Sequence, residues 1–334
     1  MAKLIEEIHL AWNSIQTSQG SSGWNTVAIL PRSPGRFRAG RNFPDKCEAL
    51  LVGFSKKLIS GNEKLPEGLG FHVTHLKGEQ DGLTWLAVTK SPNGNIDFFA
   101  AMVIDVVQTI LTSDTEDHSR DLRVFLGRIR AWQEFMKKGS MPLTAENEVG
   151  LVGELTILEQ MLETDMDPNT AITAWTGPLD GLRDFELGFG AIEVKTTIAS
   201  AGMTAKIGSL DQLDDTNCKP IFLGAVKCAL TEGGQTLPDK IFAIKKLLET
   251  DPIAHSEFEN RILAAGFLES HASHYHRRFS LRLFSILEVN DSFPRLTHGK
   301  VKTGVISSQY EVNLEPLLSQ DIGLRIALKK LEVI

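Results

Sequence analysis

The chain has 334 residues, 42% of them hydrophobic and 23% charged, an ordinary globular composition and enough length for two domains. Its net charge of −7 argues against a surface that coats nucleic acid throughout, while a local basic track beside an acidic site stays compatible with it. No apolar run reaches transmembrane length, residues 1–7 lack a signal peptide's apolar core, and the three scattered cysteines, Cys47, Cys218 and Cys228, form neither a disulfide framework nor a zinc cluster; a cytoplasmic protein without membrane contact is expected.

Residues 1–95 read as a β-rich N-terminal domain, with short apolar runs at 26–30, 49–54, 70–75 and 84–88 between Gly, Pro, Ser and Asn clusters. A helical connector is expected over 96–140: an almost wholly apolar helix at 98–111, then an amphipathic one with a basic face at 120–138. Met141-Pro142-Leu143-Thr144 breaks the pattern and opens a domain at 141–334, with Thr144 capping a helix that runs to about Glu163. The apolar stripe of that helix is Val152, Leu155, Leu158 and Leu162. Glu154 lies among Leu151, Leu158 and Met161, so its carboxylate is expected to be partly buried against a sheet. Gly150 and Gly153 weaken the helix and therefore point to a close approach.

The segment 182–187 reads as a strand, Gly188-Phe189-Gly190 as a turn, and 191–197 as a second strand. Side chains alternate along a strand, so Glu193, Lys195 and Thr197 share one face. A hairpin closed at Gly188-Phe189 puts Asp184 directly opposite Glu193, and a slip of one residue would turn it to the other face. Strands at 206–210 and 220–230, a short helix at 209–215, helices at 237–248 and 253–266, and strands at 279–289 and 304–314 complete the prediction.

Two carboxylates and a lysine so placed can build a divalent-metal site for phosphodiester hydrolysis. Glu193-Val194-Lys195 is the only Glu-x-Lys in the chain, but such a triplet is expected about once by chance at this length. Its weight comes from Asp184 across the hairpin and Glu154 on the helix. The bland alternative is a surface pair between Glu193 and Lys195, with Asp184 ending a turn. Magnesium takes hard oxygen ligands: Asp184 and Glu193 supply two, the Val194 carbonyl a third and the scissile phosphate a fourth, with Glu154 in reach of a bound water or second ion. Thr197 is a candidate for substrate contact and equally a good strand residue; Gln212 could contact substrate or the lysine, although a helix start is its commoner explanation. Arg32, Arg36, Arg38 and Arg41, and Arg120, Arg123, Arg128 and Arg130, are two basic groups that could track a phosphate backbone; exposed arginines on a solvated face are the commoner explanation. His271, His274 and His276 with Glu269 lack helical ligand spacing and are a poor zinc site.

Taken in order, Gly150-Leu151-Val152-Gly153-Glu154-Leu155, Trp175-Thr176-Gly177-Pro178, Asp184-Phe185, Ile192-Glu193-Val194-Lys195-Thr196-Thr197 and Ser209-Leu210-Asp211-Gln212-Leu213 carry a resemblance, echoed at Phe293-Pro294-Arg295, Gly304-Val305 and Tyr310-Glu311-Val312. They resemble the PD-(D/E)XK nuclease superfamily, and within it a bacterial group found in restriction and phage-defence gene neighbourhoods. The resemblance implies an α/β, restriction-endonuclease-like core of a mixed sheet flanked by helices. It makes Asp184 and Glu193 metal ligands, places Lys195 beside the attacking water, and matches Glu154 to a helix carboxylate that many members add. Arg183 stands where the motif's name has proline. The implied activity is a Mg2+-dependent endonuclease on DNA, with Mn2+ able to substitute and RNA as a rival substrate. The resemblance implies candidate defence-system partner subunits, including an ATPase; the chain has no Gly-x-x-x-x-Gly-Lys-Ser/Thr loop, so any ATP-driven step must come from another protein. The rival readings are a nuclease-fold scaffold that binds nucleic acid or proteins without cutting, and a homodimer joined through the helix at 98–111.

Overall fold

Residues 2–15, 23–30, 36–55, 65–76, 82–112, 118–139 and 141–334 are described by the structure, a computed structural model, and they fall into two units, 1–140 and 141–334. The first begins with helix α1 (Ala2–Ser14) and continues through β1 (Gly23–Ala28), β2 (Phe37–Phe43), β3 (Cys47–Ser55), β4 (Glu67–Gly68), β5 (Phe71–His75) and β6 (Leu83–Lys90) to α2 (Ile96–Thr112) and α3 (His118–Lys138). Its strands form one antiparallel sheet in the order β1-β2-β3-β6-β5-β4. The helices expected as a connector fall within this unit, and α2 buries Phe99, Met102, Val103, Val106, Val107 and Ile110. Strand β2 and helix α1 were not anticipated. Gly40 and Asn42 disfavour a strand, and cross-strand pairing on both sides of β2 overrides that weak local preference.

Much of the basic character has internal partners. Arg36 pairs with Asp121 at 2.7 Å and Arg41 with Glu48 at 3.0 Å, and the Arg38 guanidinium lies 4.5 Å over the Trp85 ring. Arg128 grips Asp105 through Nε and Nη2 at 2.6 and 2.7 Å, and Trp132 Nε1 donates to the same carboxylate. Arg32 lies outside the described residues.

The second unit runs α4 (Ala145–Leu162), α5 (Pro168–Ala174), β7 (Phe185–Leu187), β8 (Gly190–Thr197), β9 (Thr204–Ile207), β10 (Ile221–Gln235), α6 (Leu237–Leu247), α7 (Pro252–Ala264), β11 (Phe279–Glu288), β12 (Tyr310–Asn313) and α8 (Leu324–Lys330). The main sheet has the order β11-β10-β8-β7, with β8 and β10 parallel and the outer pairs antiparallel; β9 and β12 form a separate two-stranded ribbon. One face of the sheet is covered by a core containing Leu155, Ile157, Trp175, Ile192, Val194, Phe222 and Val226. Leu213, Leu223, Ala225 and Val312 belong to a second core, on the other side. Each unit is thus mixed α/β.

Helix α4 begins where expected: Thr144 accepts from Asn147 N at 3.2 Å, satisfying a donor that the helix leaves open. The two glycines on it part company. A Cβ on Gly153 would sit 1.7 Å from Thr196 Oγ1, so only glycine lets α4 lie this close to β8, whereas Gly150 faces open space. Other expectations fail or shift: the strand expected at 206–210 is Thr204–Ile207, and that expected at 182–187 begins at Phe185. Residues 209–215 form turns and bends rather than a helix, because buried arginines take up their carbonyls. The last strand is only Tyr310–Asn313, as long as its partner β9. The segment Glu269–His274 is a 3-10 turn, with the His271 and His274 rings edge to face at 6.0 Å.

Candidate active site

The hairpin has the register that aligns the carboxylates. Phe185 pairs with Ile192 and Leu187 with Gly190, so Asp184 stands one step before the ladder, opposite Glu193. A residue there has no backbone partner on β8, and the side chain takes over: Asp184 Oδ2 accepts from Val194 N at 2.7 Å. On the adjacent strand, Lys195 Nζ donates to Glu193 Oε1 at 2.7 Å.

The surface-pair alternative fails on burial, since Glu193 is 2% exposed. Its Oε2 is buried without a hydrogen-bond partner among the described residues. Burial, and then the neighbouring Asp184 charge, push the Glu193 pKa up to about 7 against the pull of Lys195. Burial likewise raises Asp184, opposed by the Val194 N–H and by Lys195. Two crowded carboxylates resisting ionisation, one with an orphaned oxygen, are a donor set that fits a hard divalent cation.

Glu154 approaches from α4. Its Oε2 accepts from Trp175 Nε1 at 2.7 Å. Glu154 Oε2 and Asp184 Oδ1 lie 3.0 and 3.1 Å from the one point that a Cβ on Gly177 would occupy, so glycine keeps the space between them open. The Trp175-Thr176-Gly177 segment packs its tryptophan, which is fully buried, into the core. It also holds Asp184 in place: Thr176 N and Gly177 N both donate to Asp184 O, at 2.9 and 3.0 Å. Among the described residues, no group of three or more His, Cys, Asp or Glu side chains is gathered closely enough to hold a metal. The candidate side-chain ligands brought together are therefore the pair Asp184 and Glu193, with Glu154 flanking them.

Gln212 Oε1 faces Lys195 Nζ at 3.4 Å. Thr197, further along the Glu193 and Lys195 face, accepts from Ala199 N at 3.1 Å. Sequence reasoning noted Arg183 only as a departure from a motif. It is 5% exposed and donates to three carbonyls of the loop carrying Gln212.

A mixed sheet with a buried carboxylate pair and a lysine on its antiparallel hairpin defines a mixed α/β protein with an acidic, cation-fitting site. Its family is specific: residues 8–315 match DUF4420, described as "Putative PD-(D/E)XK family member", and the chain belongs to that family. Comparison with curated proteins gives no match, and neither does comparison with solved structures. Among the described residues no helix is long and apolar enough to cross a membrane.

Proposed function

We propose that the chain is a Mg2+-dependent endonuclease with a restriction-endonuclease-like core, hydrolysing DNA phosphodiester bonds as a subunit of a restriction or anti-phage defence assembly. The observation that carries this reading is Glu193, a buried carboxylate with an oxygen left over, set beside Asp184 and bonded to Lys195. Family membership supports it, and the motif resemblance supports the DNA and defence parts.

Asp184, Glu193 and the Val194 carbonyl would hold the ion. The Val194 N–H points at Asp184, and a strand residue's carbonyl leaves the backbone on the same side as its N–H. When bound, the ion supplies Lewis-acid polarisation of a phosphate oxygen and a lowered pKa for a coordinated water. Lys195, anchored by Glu193 Oε1, presents its remaining N–H groups to a phosphate oxygen and stabilises the negative charge that grows there. Glu154, oriented by Trp175, orders water beside Asp184. Thr197 contacts the substrate strand along the same face, and Gln212 faces Lys195.

The test incubates the purified protein with plasmid DNA and Mg2+, alongside EDTA, Asp184→Ala and Lys195→Ala. Cleavage by the wild type alone, abolished by EDTA, is expected. Equal cleavage by all three proteins overturns the assignment, and salt-sensitive, EDTA-indifferent binding without cleavage supports the scaffold reading instead.

A further inference from the structure

The loop at 208–215 is organised around two buried arginines from distant parts of the chain. Arg183 donates from Nε to Gln212 O at 3.1 Å, and from Nη2 to Asp211 O at 3.1 Å and Asp214 O at 2.6 Å. Arg295, 6% exposed, donates from Nη1 to Leu213 O at 2.5 Å and from Nη2 to Asp215 Oδ1 at 2.9 Å. Four consecutive carbonyls, 211 to 214, therefore converge on two guanidinium groups. The rigid planar fork of five donors fixes where several carbonyls lie, which the three rotatable donors of an ammonium do less firmly.

Satisfying two buried charges would explain these bonds but not what the loop presents. Gln212 Oε1 accepts from Gly208 N at 2.8 Å, and that N–H dictates which end of the amide is oxygen. The same oxygen faces Lys195 Nζ at 3.4 Å, so the ammonium lies between Glu193 Oε1 and Gln212 Oε1. Arg183 also precedes Asp184 directly. One residue thus ties the start of the carboxylate hairpin to the loop that touches the lysine.

We propose that Arg183 and Arg295 are positioning residues: by clamping the 211–214 carbonyls they hold Gln212 against Lys195 and so aim the ammonium. The clamp and its hold on Lys195 rest on geometry alone; the effect on turnover rests on the phosphodiesterase reading.

The experiment compares Arg183→Lys and Arg295→Lys, which keep the buried charge but not the fork, with Gln212→Ala and Gln212→Glu. Gln212→Glu retains an oxygen for both the Gly208 N–H and Lys195. Amide exchange at Gly208, read by NMR, is expected to quicken about tenfold in Gln212→Ala and in either arginine variant, the effect of losing one ordinary hydrogen bond. It should stay near wild type in Gln212→Glu. Reductive methylation of Lys195, followed by mass spectrometry, should quicken in the same variants and be restored in Gln212→Glu. The Arg183→Lys/Gln212→Ala double variant should exchange no faster than Gln212→Ala alone. On plasmid with Mg2+, kcat should fall about ten- to a hundredfold with KM and calorimetric Mn2+ affinity unchanged. Wild-type exchange at Gly208 in the folded arginine variants overturns the clamp, and additive exchange in the double variant overturns its action through Gln212. Unchanged Lys195 methylation overturns the aiming of the lysine. Absence of wild-type cleavage bears only on the proposed activity, because exchange and methylation still decide the clamp. The two arginines are varied separately, so that misfolding of one variant leaves the other to decide.

Discussion

Replacing Glu193 with Gln tests whether this carboxylate is held against the stability of its own fold. Glutamine keeps the shape and an oxygen for Lys195 Nζ but has no charge to bury. In the wild type the Glu193 pKa is raised from 4.5 to about 7, so the folded protein keeps a proton that the unfolded chain releases between those values. Stability is therefore lost as pH climbs from about 4.5 through about 7, and the loss is complete above it. At about 1.4 kcal/mol per pH unit the shift corresponds to roughly 3 kcal/mol. That is an upper bound on the gain, since glutamine forfeits the ionic part of the bond to Lys195. For a unit of this size it means a rise in Tm of up to about 6–12 °C. Thermal unfolding in EDTA should give a Tm for Glu193→Gln only slightly above wild type at about pH 5, and a clearly higher one at about pH 8.5. Mn2+ added at the higher pH should raise the wild-type Tm and leave the variant's unchanged, because only a state that binds the ion is stabilised by it. A variant that melts at or below wild type at both pH values refutes the buried-carboxylate reasoning.

Two further substitutions probe the supports of the site. Gly153→Ala places a Cβ 1.7 Å from Thr196 Oγ1 and 2.8 Å from its Cβ, so α4 or β8 must shift. A loss of about 1–3 kcal/mol is expected in urea unfolding, largely recovered in the Gly153→Ala/Thr196→Gly double variant; an unchanged midpoint in the single variant refutes the close contact. Trp175→Phe keeps a ring stacked on Phe258 but removes the N–H that reaches Glu154 at 2.7 Å. The expected loss is about 1.5–3 kcal/mol, the range for a hydrogen bond to a charged group, and a midpoint equal to wild type would show that the bond contributes nothing.

How much of this was legible follows from which interactions are local. The hairpin register could be read because alternation and a glycine turn fix it, and it places Asp184 opposite Glu193. The Thr144 cap and the close approach at Gly153 were legible for the same reason: each is dictated by a residue type at a position in one helix. Glu154 could be placed near the sheet, but not its tryptophan partner, because Trp175 is 21 residues away and spacing says nothing about such a pair. The loop at 208–215 defeated the reading outright. Its residues suit a short helix, and the carbonyls a helix would need are bound by Arg183 and Arg295, 28 and 82 residues away along the chain.

The arginine in the place of the motif's proline can be understood from charge. Burial raises the pKa of both Asp184 and Glu193, and the Asp184 charge raises Glu193 further, against the pull of Lys195. A proline at 183 would add no charge against that rise. The Arg183 guanidinium moderates it, its charge being among the influences that lower the Glu193 pKa. Yet the same guanidinium makes no hydrogen bond to either carboxylate, because its donors go to the loop carbonyls. It eases ionisation without occupying the Glu193 oxygen that lacks a partner. That oxygen and the neighbouring Asp184 carboxylate are the hard donors left to a divalent cation.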